Sequence, residues 1–71
     1  MARNNIKAIG KKIKVLRIKK GWSLRDMQQT TGLNYSTLSC IERSGSTTPR
    51  SAKKIADALE TEFDEVFEIE I

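Results

Sequence analysis

Apolar residues recur along most of this chain at spacings of three and four, the rhythm that lays one hydrophobic stripe along a helix. Ile6, Ile9, Ile13 and Leu16 keep that rhythm and predict a first helix over 6–20. Asn5 stands where a cap would start it, and Gly21 ends it after a basic last turn that suits the negative end of the helix dipole. Leu24 and Met27 line a second helix over 24–31, entered at Ser23 with Asp26 three residues on, a short-armed capping box, and closed by Gly32. Leu33 and the Asn34 cap lead into a third helix over 35–43, with Leu38 and Ile41 on its inner face. Thr48 followed by Pro49 is a cap and first turn, opening a fourth helix over 49–59 that turns Ala52, Ile55, Ala56 and Leu59 inward.

Phe63, Val66 and Phe67 predict a short fifth helix over 63–67, a lid on the core, and Trp22 packs into that core from the first connection. Residues 44–48, Ser-Gly-Ser-Thr-Thr, read as a flexible polar loop whose amides and hydroxyls can meet phosphates. Glu68-Ile69-Glu70-Ile71 alternates with strand periodicity, either as a frayed tail or as a short edge strand that pairs with its copy in a dimer. The expected class is all-α: one compact five-helix domain over 1–71.

Residues 23–43 change the reading from a generic bundle to a helix-turn-helix, because two short capped helices meet there at a single glycine. The outer face of the later helix carries Tyr35, Ser36, Ser39, Cys40 and Arg43, while Arg25, Gln29 and Thr30 of the earlier one are left for solvent or phosphate. Helical hairpins with a short glycine turn also occur in domains that bind no nucleic acid, so charge has to be weighed next.

Thirteen Lys and Arg against nine Asp and Glu give a net charge of +4, a mild pointer to polyanions. Their distribution points further. Arg3, Lys7, Lys11, Lys12, Lys14, Arg17, Lys19 and Lys20 crowd the first twenty residues with no acid among them, whereas Asp57, Glu60, Glu62, Asp64, Glu65, Glu68 and Glu70 close the chain with no base. Such a dipole steers one side of a molecule toward a phosphate backbone and holds the other away. Seventy-one residues bury a core only marginally and leave no room for a deep pocket, which argues against an enzyme or a small-molecule substrate. With no His and Cys40 alone, there is no zinc set, no Ser-His dyad and no intramolecular disulfide, and no cofactor is implied. No apolar run reaches the length of a signal peptide core or a membrane span, so a reducing cytoplasm is the expected location.

Four stretches, IGKKIKVLRIKKGWS, GLNYSTLSCIER, TPRSAKKIADAL and FDEVF, together resemble the Cro/C1-type, or Xre, helix-turn-helix family of phage and bacterial transcriptional regulators over residues 9–67. The resemblance implies a lambda-repressor-like fold with the motif formed by the second and third helices. It further implies an ion pair between Arg17 and Glu42, and base reading by Tyr35, Ser36, Ser39 and Cys40. Phosphate contacts are expected at Ser23, Arg25, Asn34 and Thr37, with Arg43, Thr47, Arg50 and Lys11 adding to them. Two positions depart from the family pattern. Leu24 stands where a polar residue, commonly Gln, is frequent, which passes its phosphate contact to backbone amides or to Arg25. Gln28 stands where Ala lets the second and third helices touch, so it needs amide partners or must bend outward, altering the helix crossing.

The reading face is chemically soft: hydroxyls, a thiol and a phenol, with no Arg to fork onto guanine and no Gln or Asn within the helix to bracket adenine. Tyr35 is placed for a thymine methyl or a phosphate, and DNA shape and dimer spacing would carry part of the specificity. Two functions follow. One is a repressor or Cro-like switch that binds a double-stranded DNA operator as a homodimer. The alternative is a modulator or antirepressor of the same fold that binds another regulator protein through the second and third helices or through residues 63–71.

Overall fold

The computed structural model describes residues 5–70, so Arg3 of the basic amino-terminal stretch and Ile71 of the tail lie outside the described residues. Alternation, not helical rhythm, governs the first described segment. Asn5–Ala8 form strand β1, in which Ile6 and Ala8 are buried and Lys7 between them is exposed. The helix expected over 6–20 is corrected accordingly: α1 spans Gly10–Lys19, and Asn5 lies in a strand instead of at a helix start. Ile6 and Ile9 fit a helical spacing, but Ile6 and Ala8 also fit period two, and strand partners from distant parts of the chain decide between them.

Those partners are β2, Ser46–Thr47, and β3, Phe67–Glu70, both antiparallel to β1 in the order β2-β1-β3. Ile6 sits opposite Thr47 on one side and Ile69 on the other, and the Ile9 N–H donates to the Val66 carbonyl at 2.8 Å to extend the β1–β3 ladder. Residues 44–48 are therefore not a free polar loop. The tail is a strand, as its alternation implied, yet it pairs within its own chain where a frayed end or a partner copy was expected. Among the described residues the fold is mostly helical, with five helices, and the all-α expectation is amended by this small sheet.

The helices otherwise follow their sequence signals. α1 gives way through Lys20 to Gly21 at φ 76°, and α2, Leu24–Thr31, ends at Gly32 at φ 78°. α3 spans Tyr35–Ser44, and α4 spans Pro49–Ala58 with the Thr48 hydroxyl accepting the Ser51 N–H at 3.3 Å. α5 is Phe63–Val66, one residue shorter than expected, because Phe67 turns into β3 with φ −135° and is buried. The core lies where α1 to α4 converge on the sheet, with Ile13, Met27, Leu38, Ile41, Ile55, Val66 and Phe67 fully enclosed. Phe63 half-covers it, its ring 5.0 Å from that of Phe67. Gly10 is the tightest junction: a Cβ there would overlap the Glu42 carbonyl, so only glycine lets the start of α1 rest on the end of α3.

Candidate nucleic-acid interface

The α2–turn–α3 unit is held by a set of local bonds. Ser23 and Asp26 form the capping box: the Ser23 hydroxyl accepts the Asp26 N–H at 3.2 Å, and the Asp26 carboxylate accepts the Ser23 N–H at 2.9 Å. In the turn, the Leu33 N–H donates to the Thr31 hydroxyl at 3.2 Å. Asn34 takes the extended backbone of an N-cap but its side chain makes no capping bond, correcting the role expected of it. Gln28 does the work instead. Its Oε1 accepts the Tyr35 N–H at 2.9 Å, so the residue expected to disturb the helix crossing is exposed, clear of the core, and tethers α2 to the first turn of α3. Sequence reasoning missed this, although a long amide seven residues before an unsatisfied helix-start N–H was a readable signal.

Behind α3, Arg17 and Glu42 form a two-pronged ion pair, Nε to Oε2 at 2.8 Å and Nη2 to Oε1 at 3.2 Å, while Arg17 Nη1 donates to the Trp22 carbonyl at 2.8 Å. Their side chains are only 10% and 11% exposed, so one guanidinium ties α1, α3 and the α1–α2 connection together away from water.

The outward side of α3 is open. Leu38 and Ile41 bury its inner face, whereas Tyr35, Ser36, Cys40 and Arg43 are exposed and Thr37 and Ser39 half-buried. Alongside runs a groove of about 410 Å³ bordered by Ser36, Thr37 and Cys40 from α3 and by Thr47, Thr48 and Ser51 from β2 and the start of α4. With Ile41 as the seventh bordering residue, five of the seven carry hydroxyls. Ser51 was not among the expected site residues and Thr48 was expected only as part of the polar stretch 44–48, since only the fold brings the head of α4 beside α3. Ser23, Arg25, Asn34 and Arg50 are exposed around this unit, and the Arg25 guanidinium lies over the Tyr35 ring at 5.9 Å from its centre.

Lys11 does not join this cluster. It lines a second groove, of about 330 Å³, with Lys12, Val15 and Leu16 of α1 and with Thr61 and Glu65. Val15 and Ile18 leave an apolar strip on the outside of α1. The basic and acidic ends of the chain meet at Lys20 and Glu60, 2.7 Å apart, where the hydrogen bond and charge of Lys20 hold the Glu60 carboxyl below its ordinary range. Among the described residues no group of three or more His, Cys, Asp or Glu is placed to hold a metal ion, and no helix is long and apolar enough to cross a membrane.

Comparison with known proteins accords with this geometry. The chain matches the helix-turn-helix family over residues 13–66. Among solved structures it is similar to the N-terminal DNA-binding domain of SinR from Bacillus subtilis, with 34% identity, a TM-score of 0.70, and coverage of 79% of this chain and 84% of that one. It is also similar to a chain of the SinR protein/SinI protein complex, with 34% identity, a TM-score of 0.71, and coverage of 80% of this chain and 57% of that one. No curated protein matches it. A family match across most of the chain, over a capped α2, a glycine turn and an α3 buried on one side alone, means that the protein belongs to the Cro/C1-type helix-turn-helix family of DNA-binding transcriptional regulators.

Proposed function

We propose that this protein is a sequence-specific repressor or Cro-like switch that places α3 in the major groove of a double-stranded operator and binds it as a homodimer. The observation that carries the reading is the one-sided burial of α3, whose outer face is open to solvent beside a groove rich in hydroxyls. Tyr35, Ser36, Ser39 and Cys40 face the bases. Ser23, Asn34, Thr37, Arg43, Thr47 and Arg50 flank them as phosphate contacts, which fix register without reading sequence. Lys11, on the α1 side, adds to the positive field that steers the duplex in. Two copies on DNA set their α3 helices in successive major grooves, ~34 Å apart. The work is binding and not catalysis, in the cytoplasm.

A second reading is favoured by the apolar strip of Val15 and Ile18 beside the α1 groove and by the likeness to a chain of the SinR protein/SinI protein complex. In that reading the protein modulates another regulator by binding it. A salt titration of DNA binding separates the two. Neutralising 6 to 10 phosphates makes affinity fall by roughly 10³ to 10⁵ between 50 and 200 mM salt. Absence of DNA binding even at low salt eliminates the first reading.

A further inference from the structure

The four base-reading positions of α3, Tyr35, Ser36, Ser39 and Cys40, include no side chain able to grip a base edge with two parallel donors, and Arg43 stands in the last turn, away from the end that meets base edges. One such side chain nevertheless reaches it from outside the helix. Arg25, on the first turn of α2, places its guanidinium 5.9 Å from the centre of the Tyr35 ring, and Tyr35 is the first residue of α3. The amino-terminal end of a recognition helix is the part that meets base edges.

Three features make the placement more than a surface contact. Tyr35 is tied at its backbone by the Gln28 bond at 2.9 Å, which holds the first turn of α3, from which the ring projects, against α2. The neighbouring carboxylate, Asp26, is turned to the Ser23 N–H and hydroxyl at 2.9 and 3.1 Å, and Arg25 enters no ion pair among the described residues. A guanidinium over an aromatic face is held by its charge and need not spend its N–H donors there, which leaves its planar fork to match two acceptors side by side.

Resting on the DNA-binding reading above, we propose that Arg25, lying over the Tyr35 ring, is a base-reading residue and not a phosphate anchor. Its two edge N–H groups donate to O6 and N7 of one guanine in each half-site. The resemblance to the family had set Arg25 at a phosphate, along the path where the first helix of the motif crosses the backbone. Its place over the Tyr35 ring sets it instead beside the amino-terminal end of α3, where it would supply the fork that Tyr35, Ser36, Ser39 and Cys40 lack.

The test is binding-site selection from random double-stranded DNA, followed by competition between the selected site and single-base variants. Wild type should prefer guanine at one position per half-site by roughly 5- to 150-fold, the range of one good bidentate pair. Arg25→Ala and Arg25→Lys should lose that preference while keeping those at other positions. Tyr35→Phe, which keeps the ring, should retain the guanine preference whatever its overall affinity, and Tyr35→Ala should blunt it. Replacing that guanine by 7-deazaguanine, which lacks N7, should weaken wild type and leave Arg25→Ala unaffected. An Arg25→Ala variant that binds every sequence more weakly, with unchanged base preferences and a salt slope shallower by about one, would make Arg25 a phosphate contact and overturn the proposal. Selection of a site whose guanines do not depend on Arg25 refutes this proposal alone. Failure of wild type to select any sequence refutes it together with the DNA-binding reading.

Discussion

Removing Glu42 tests whether the angle between α1 and α3 rests on a buried charge. Glu42→Ala deletes both oxygens that accept from Arg17, leaving the guanidinium with the Trp22 carbonyl at 2.8 Å as its remaining partner among the described residues. At 10% side-chain exposure, water cannot fully replace what is lost. An uncompensated charge in such a site costs about 3–5 kcal/mol. A domain of 71 residues is stable by roughly 4–11 kcal/mol in all, so the variant loses a large share of its stability, and its melting midpoint should drop by more than about 12 °C. Urea unfolding of wild type, Glu42→Ala, Arg17→Met and the double variant Arg17→Met/Glu42→Leu measures the coupling. The double variant should lie well above the sum of the single losses, since apolar side chains replace a charge pair at little net cost. A Glu42→Ala loss below about 1 kcal/mol, the range of exposed pairs, would refute the reasoning.

Other expectations concern local geometry. Gly10→Ala should destabilise by about 1–3 kcal/mol in urea unfolding, because its Cβ meets the Glu42 backbone, which cannot swing aside. A neutral result would mean that the two helices separate freely. Gln28→Ala should cost about 0.5–2 kcal/mol in thermal melting by orphaning the Tyr35 N–H, whereas Gln28→Glu keeps the accepting oxygen and should cost less. Glu60, depressed by its hydrogen bond to Lys20 and by the Lys20 charge, has a lower folded than unfolded pKa. The small stability it adds is present above the ordinary Glu range and is lost as pH falls through the folded value. Lys20→Met should therefore move the Glu60 carboxyl midpoint upward in an NMR titration, and an unchanged midpoint would show that the contact is not populated.

Most of the helical plan was legible because each helix carries its own punctuation. Ser23 with Asp26, Gly32 and Thr48 with Pro49 act within four residues of themselves, and they cap or close helices where expected. The first twenty residues misled for a related reason. Ile6, Ile9, Ile13 and Leu16 satisfy a helical count, and nothing nearby marks Asn5–Ala8 as a strand, since its partners lie some forty and sixty residues away. Within the candidate interface, the outward residues of α3 followed from its apolar stripe. The Gln28 tether, the approach of Arg25 to Tyr35 and the entry of Thr48 and Ser51 into the groove did not, because each joins residues from separate elements.

Periodicity, caps and the segregation of charge along the chain were sufficient by themselves to specify a helix-turn-helix with a basic beginning and an acidic end. They are short-range properties, set by a residue and its neighbours three or four positions off. Tertiary structure alone decided that both ends of the described chain become strands of one sheet, that Gln28 turns from an intrusion into a tether, and which side chains share the face beside α3. A strand needs a partner before its hydrogen bonds are made, and a binding surface needs several elements at once, so neither is encoded in any one stretch of sequence.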